Sequence, residues 1–364
     1  MDFNLDETQE DLRALAAGLL EREATPARLE AHERGGAPYD AGMWRSLARA
    51  GLLGAVLPEE AGGAGLGPVE LAVVLREIGA RVAPVPAQQS LVAAMAVARY
   101  GSAEQRRALA PLADGELVLS AAPSGPGGRG RPSVTAREGA GGPLLDGRTG
   151  TVPYAAQAAR VLVAAGTEAG PGLFLVEPAA ARVRPVRLPS GEPGAVLVLD
   201  GAPAEPVGGI GGPAGAEAVR GLGRLAVAGA VATVSGVLAG ALELTCGHLR
   251  TRRQFGRALA EFQAVTMQIA DVYVASRALD VAVRSGVWRL AEGLAEEADA
   301  DLAVAAFTAA DTALRALYTC QHLHGGIGLD VTYPLHRHFA WGRHHAQLLG
   351  GAELQLDTIG ALAG

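Results

Sequence analysis

Apolar residues recur at three- and four-residue intervals over most of this chain, and that spacing predicts helices. The first is expected over residues 6–22, where Asp6 and Gln9 form a capping pair and Leu12, Leu15 and Leu19 supply the stripe. Others are expected over 41–50 (ended by Gly51), from Pro68 through Ile78, and over 92–100 and 103–112. At Gly115 the pattern changes. Short apolar runs at 117–121, 161–165, 173–176 and 196–199, separated by Gly, Pro and charged residues, read as strands. Arg182-Val183-Arg184 alternates too, but Pro185 confines that strand to an edge or ends it. The piece 124–132, SGPGGRGRP, is loop; it does not lead from a strand into a helix, so it carries no phosphate role. Beyond a Gly/Pro linker at 208–215, helices are expected over 224–250, from Phe262 onward, over 276–294 and over 300–321. Phe262, Val265, Ile269 and Val272 mark the inward face of the second of these, and Leu302, Phe307, Leu314 and Leu317 that of the last. Four such helices with short loops suggest an antiparallel bundle. The chain therefore reads as mainly α with a small central β-domain: an N-terminal helical domain (1–115), a middle β-domain (116–210) and a C-terminal four-helix bundle (211–364).

Composition sharpens this picture. Of 364 residues 49% are apolar but only 4% aromatic, with Ala and Gly heavily used, which favours closely packed helices. The formal charge is −7 and the arginines are dispersed, so no nucleic-acid surface is expected. Cys246 and Cys320 belong to no CxxC spacing and read as free thiols in a reducing compartment. The acidic start MDFNLDETQ is no signal peptide, and no apolar run free of Gly, Pro and charge is long enough for a bilayer. A soluble, cytoplasmic protein without membrane partners is the expectation. His324, His336, His344 and His345 lack the carboxylate or Cys that would complete a ligand set, so no metal is expected.

Two stretches carry candidate chemistry. In RTRRQFGRALAEFQAV (250–265), Arg250, Arg252 and Arg253 stand beside Gln254-Phe255-Gly256 at a break between helices. A guanidinium fork holds phosphate oxygens, a ring stacks, and Gly lets the chain turn; a solvated basic turn is the other reading. Near the end, Gln321-His322-Leu323-His324-Gly325-Gly326-Ile327-Gly328 precedes Tyr333-Pro334-Leu335-His336. A Gly-rich turn after a helix lets backbone approach a ligand, or simply caps the helix.

These stretches closely resemble the R-x-Q-F-G…F-Q and Q-x-H-G-G-x-G segments of the acyl-CoA dehydrogenase family, and the resemblance runs in order over nearly the whole chain. It implies FAD as cofactor. Arg252 would contact the pyrophosphate of a neighbouring subunit's FAD, with Gln254, Phe255 and Gln263 completing that site. His322, where the family's Gln falls, would meet the adenosine end with Gly325 and Gly326. In the middle domain Ser120-Ala121-Ala122-Pro123-Ser124-Gly125 stands where the family has Thr-Glu-Pro-Gly-x-Gly-Ser, so Ser120 is carried over as a flavin contact. Thr151-Val152-Pro153-Tyr154 stands at the family's Trp-Ile-Thr strand.

Dehydrogenation of an acyl thioester needs a carboxylate to take the α-proton. The resemblance places that Glu at Leu349 or, in a minority of the family, at Ala226, and neither is acidic. The nearest acid after the first position is Glu353. The reading is a subunit without its own base, paired with a homologous subunit in a dimer or tetramer. Its substrate would be an acyl-CoA or acyl-carrier thioester and its electron acceptor an electron-transfer flavoprotein. Alternatives are a homo-oligomeric dehydrogenase using Glu353, a flavin monooxygenase or N-oxidase on the same fold, and a scaffold without flavin.

Overall fold

The computed structural model describes residues 3–363. Helix α1 (Glu7–Glu23) opens with the expected box: Asp6 accepts from the Gln9 N–H at 2.8 Å and its own N–H donates to the Gln9 side chain at 3.0 Å. The inward stripe differs from the expected one, being Ala16, Leu19 and Leu20, while Leu15 is 46% exposed. There follow α2 (Pro26–Gly35), α3 (Ala41–Arg49), α4 (Pro68–Ala80), α5 (Ala87–Tyr100), α6 (Ala103–Arg107) and α7 (Ala110–Ala113). The single helix expected at 103–112 is divided, because Pro111 has no N–H to return to Arg107. Gly51, at φ 76°, stops α3 as expected.

The strands are β1 (Leu119–Ala122), β2 (Val134–Gly139), β3 (Gly142–Pro153), β4 (Arg160–Thr167), β5 (Gly170–Val176), β6 (Arg182–Arg187) and β7 (Pro193–Val207). They run in the order β1-β4-β2-β3-β7-β5, with β5 also pairing β4 and β6 added to β7. The 15-residue β7 pairs β6 with its first half, β3 from Gly194 to Pro203, and β5 with its last residues. β6 lies at an edge, where Pro185 removes one donor without breaking a ladder. The β2–β3 hairpin is absent from the sequence reading because its residues are mostly polar and only Val134, Leu145 and the end of β3 are deeply buried.

After the β-domain the chain is helical: α8 (Gly212–Thr251), α9 (Gln263–Ala291), α10 (Ala295–Thr308), α11 (Leu314–His324), α12 (Leu335–Leu348) and α13 (Gly351–Ala363). A two-rung hairpin of β8 (Arg253–Gln254) and β9 (Arg257–Ala258) separates α8 from α9. The stretches expected as two helices from Phe262 to Leu294 are one 29-residue helix, and the one expected at 300–321 is interrupted by a π-turn at Ala309–Ala313. By length and composition α8 could cross a membrane, but 83% of its most apolar window is buried inside the fold.

The chain forms two compact units, one of the residues up to Ala31, Ala72–Ala83 and Ala230 onward, the other of His32–Leu71 and Pro84–Gly229. In the first, the end of α4 lies directly on α8. A Cβ on Gly236 would fall 1.8 Å from the Arg76 carbonyl oxygen, and one on Gly79 would fall 2.2 Å from that of Thr233. Backbone cannot yield as a side-chain tip can. Gly236→Ala is therefore expected to lower stability by about 1–3 kcal/mol or more through overpacking, read as a lower melting temperature. Beside this crossing Asp280, buried on α9, accepts from Arg76 at 3.1 and 3.3 Å and from Ser235 of α8. In the second unit Ser90 of α5 bonds both the N–H and the carbonyl of Leu119, at 3.1 and 3.0 Å, which fixes the helix to β1.

Candidate functional site

The last turn of α8 carries His248, and Arg252 follows just past its end, four residues on and so on the same side. The Arg252 N–H closes onto the His248 carbonyl at 2.8 Å, and its own carbonyl accepts from Leu259 at 2.9 Å, so both ends of the excursion are tied together. Between them β8 and β9 turn through Phe255 (φ 50°) and Gly256 (φ 81°). Two consecutive positive φ values make a tight hairpin turn; Gly adopts one freely, whereas a Phe there is strained. The result is a projecting ring: Phe255 is 93% exposed, touching Phe262 edge-on at 6.4 Å. Arg257 lies 4.0 Å over the Phe262 ring. Arg252, Gln254 and Gln263 are exposed, and no carboxylate pairs with Arg252 or Arg253 among the described residues. Phe262 is the N-cap of α9 and offers no side-chain cap, so the first N–H groups of a 29-residue helix open beside these arginines. The turn thus presents guanidinium, helix N–H groups, amides and a bare aromatic face, which suits phosphate and a stacked ring.

The second predicted segment comes to the same place. His248 stacks on His324 of α11, ring centroids 4.4 Å apart, and His324 also meets the Tyr333 ring at 5.3 Å. The His324 Nδ1 is 2.8 Å from the Cys320 carbonyl, which only accepts, so Nδ1 carries the proton. Burial lowers the basicity of both rings, and His248 is further lowered by His324 and Arg252, so the stack is neutral near pH 7. Gly325, at φ 63°, closes α11 and begins a 3-10 turn to Leu329. A Cβ on Gly325 or Gly326 would meet nothing within 4 Å, so this backbone is open to an approaching ligand, and His322 is exposed beside it. The sequence reading missed the stack, which joins residues 76 positions apart.

Ser120, carried over as a flavin contact, is fully buried, and its hydroxyl donates to the Pro153 carbonyl at 2.6 Å, so this side chain ties β1 to the end of β3. The next residue, Tyr154, is held at φ 56°, its N–H on the Pro193 carbonyl at 2.8 Å and its phenol donating to Glu192 at 2.9 Å. Burial raises the Glu192 carboxyl above its ordinary range. Ser120→Ala is expected to cost about 1 kcal/mol of stability for the lost bond, read by denaturant unfolding, and to leave flavin affinity unchanged.

The positions of the expected base are apolar surroundings. Leu349 is 1% exposed at the end of α12, its carbonyl accepting from the buried Gln355 side chain. Ala226 is half-buried on α8 with no acid within three residues. Glu353 is exposed in the first turn of α13, where nothing desolvates its carboxylate. Both cysteines are free thiols, with burial pushing Cys320 up to about 11. No group of His, Cys, Asp and Glu among the described residues forms a metal cluster.

Fold and site together define a flavoprotein dehydrogenase architecture of two helical domains flanking a β-domain. The chain belongs to the acyl-CoA dehydrogenase family, whose members are FAD-dependent oxidoreductases. Residues 6–116 match the family model for its N-terminal domain and residues 219–363 that for its C-terminal domain. Acyl-CoA dehydrogenases FadE28 and FadE27 of Mycobacterium tuberculosis are 36% and 35% identical, each match covering 99% of this chain and 98% of the relative. Among solved structures, a Tcur3481–Tcur3483 steroid ACAD variant superposes with a TM-score of 0.91 at 39% identity, over 98% of both chains. The ChsE4–ChsE5 complex of M. tuberculosis gives 0.91 at 33% identity, over 99% of this chain and 98% of that one.

Proposed function

We propose that this chain is the base-lacking subunit of a heteromeric, cytoplasmic acyl-CoA dehydrogenase acting on an acyl thioester of a steroid side chain. One contrast carries the reading. The 252–263 turn keeps its arginine, amides and exposed ring, whereas both base positions, Leu349 and Ala226, are apolar. The two solved structures described above, each named as a pair, support a pairing with a homologous subunit.

When bound, FAD supplies the two-electron acceptor for α,β-dehydrogenation. The residues here fit the nucleotide end of that group. Arg252 would hold pyrophosphate oxygens, Gln254 and Gln263 would hydrogen-bond beside it, and Phe255 would cover a ring face. Gly325, Gly326 and His322 would border the adenosine. The proton is taken by a carboxylate of the homologous subunit, because an apolar side chain at Leu349 would forfeit on the order of 10²–10⁴ in rate. Electrons then pass to an electron-transfer flavoprotein.

The visible spectrum of the purified chain tests this, taken alone and after co-expression with its genomic neighbour. Flavin that bleaches anaerobically with an acyl-CoA is expected only in the co-expressed complex. Stoichiometric, bleachable flavin on the chain alone would overturn the reading.

A further inference from the structure

One face of the β-domain carries none of the candidate site residues named above. On β7, Val198 has Arg148 of β3 as its partner on one side and Arg182 of β6 on the other; Val196 likewise lies between Thr151 and Arg184. Directly paired residues project to the same side of a sheet. Leu197 and Leu199 are buried within, so the two half-buried valines and the three arginines share the outer face. Arg148, Arg182 and Arg184 are all exposed, and none forms a side-chain ion pair among the described residues. Their basic neighbours are otherwise engaged, Arg160 with Glu177 and Arg137 with Asp146. Asp200, two residues beyond Val198, is the acid closest to these rows along β7.

Strands about 4.8 Å apart and same-face residues about 7 Å apart along a strand put the Cα atoms of the three arginines within roughly 12 Å of one another. Like charges so placed repel at moderate salt, in a chain whose overall charge is −7. Guarding an edge explains Arg182, Arg184 and Pro185 on β6. It does not explain Arg148, because β3 is an interior strand between β2 and β7.

We infer that this face is a docking surface for an acidic protein partner, one presenting rows of carboxylates to Arg148, Arg182 and Arg184 across the two valines. The face is a flat sheet, whereas small anions are held in concave sites. Its charge sets it apart from the apolar surfaces of permanent subunit contacts and suits a transient, electrostatically steered encounter. The partner is thus distinct from the homologous subunit proposed above, and the inference stands or falls independently of that reading.

Fluorescence anisotropy of a labelled oligoglutamate peptide with the full chain tests it, at salt of about 20 and about 200 mM, which bracket effective screening of exposed charges. Binding should weaken steeply with salt. Arg182→Glu with Arg184→Glu should lower affinity at least about tenfold, and Arg148→Gln should weaken it in part. Reversal of Arg107 or Arg343, exposed elsewhere, should have little effect. Thermal melts confirm folding, and Arg182→Gln with Arg184→Gln gives a milder second variant. Equal losses on reversing Arg107 or Arg343 would mean only general charge attraction and overturn the inference. So would tripolyphosphate or oligothymidylate binding through the three arginines more tightly than oligoglutamate.

Discussion

Acidification from pH 7 to pH 4 is expected to unfold the C-terminal helices cooperatively, with three histidines of α12 supplying most of the steepness. His338, His344 and His345 are 4%, 3% and 3% exposed. Burial drives their basicity down, to about 4 for His338, about 3 for His344 and about 4 for His345. His338 contacts the Ala80 carbonyl through Nε2 at 3.2 Å, and His345 the Trp341 carbonyl through Nδ1 at 2.9 Å, so both sit as neutral donors. In the unfolded chain each ring titrates near its ordinary value, about 6.5. Above that pH both states are neutral and stability is complete. Below it the unfolded state takes up protons that the folded state refuses, and stability falls until the folded rings titrate. Each histidine then contributes a slope approaching about 1.4 kcal/mol per pH unit and a total of roughly 3 kcal/mol. Three together rival the whole stability of a typical domain, about 5–15 kcal/mol. Urea titrations between pH 7.5 and 4.5 measure this. The ring of His344 touches His345 edge-on at 5.3 Å and is lowered partly by it. His344→Leu should therefore keep stability near pH 7 and flatten the acid slope by about a third. An unchanged slope would place the acid sensitivity elsewhere.

The second large effect is expected at Arg252. In the complex with the homologous subunit, Arg252→Ala should weaken FAD retention by about 10- to 100-fold, the worth of a charge-assisted bond to phosphate. Arg252→Lys should recover part of it, since it restores the charge but not the planar fork. Flavin content after gel filtration, with dissociation followed by recovery of flavin fluorescence, gives the readout without reference to turnover. Stability should not change, because Arg252 is exposed and its structural bonds run through its backbone N–H and carbonyl. Full flavin retention by Arg252→Ala would remove it from the site.

Much of this was legible in the chain because the relevant signals are local. The Asp6–Gln9 cap, the stop at Gly51 and the edge position forced by Pro185 each follow from one or two residues. So does the exposed hairpin at Phe255-Gly256, whose sequence puts arginines and a ring at a helix break. What escaped depends on contacts distant in sequence. The β2–β3 hairpin has little buried alternation, and its pairing is visible only once β7 lies against it. The bond from the Ser120 hydroxyl to the Pro153 carbonyl, 33 residues on, is one that no spacing reveals. The His248–His324 stack likewise needs α8 and α11 side by side.

The π-turn at Ala309–Ala313 also sets how the helices on either side of it are rotated. Such turns arise when one residue enters a helix without destroying the turns on either side. Everything downstream is then swung by about 100°, one residue's share of a turn. The buried positions nevertheless keep to one stripe through the turn, with Leu302, Ala306, Ala309, Ala313, Leu317 and Cys320 following at three- and four-residue intervals. Beyond the turn, α11 carries His324 against His248 and leaves His322 exposed. Removing one alanine from the turn would rotate α11 by about 100° relative to α10 and carry His324 off His248.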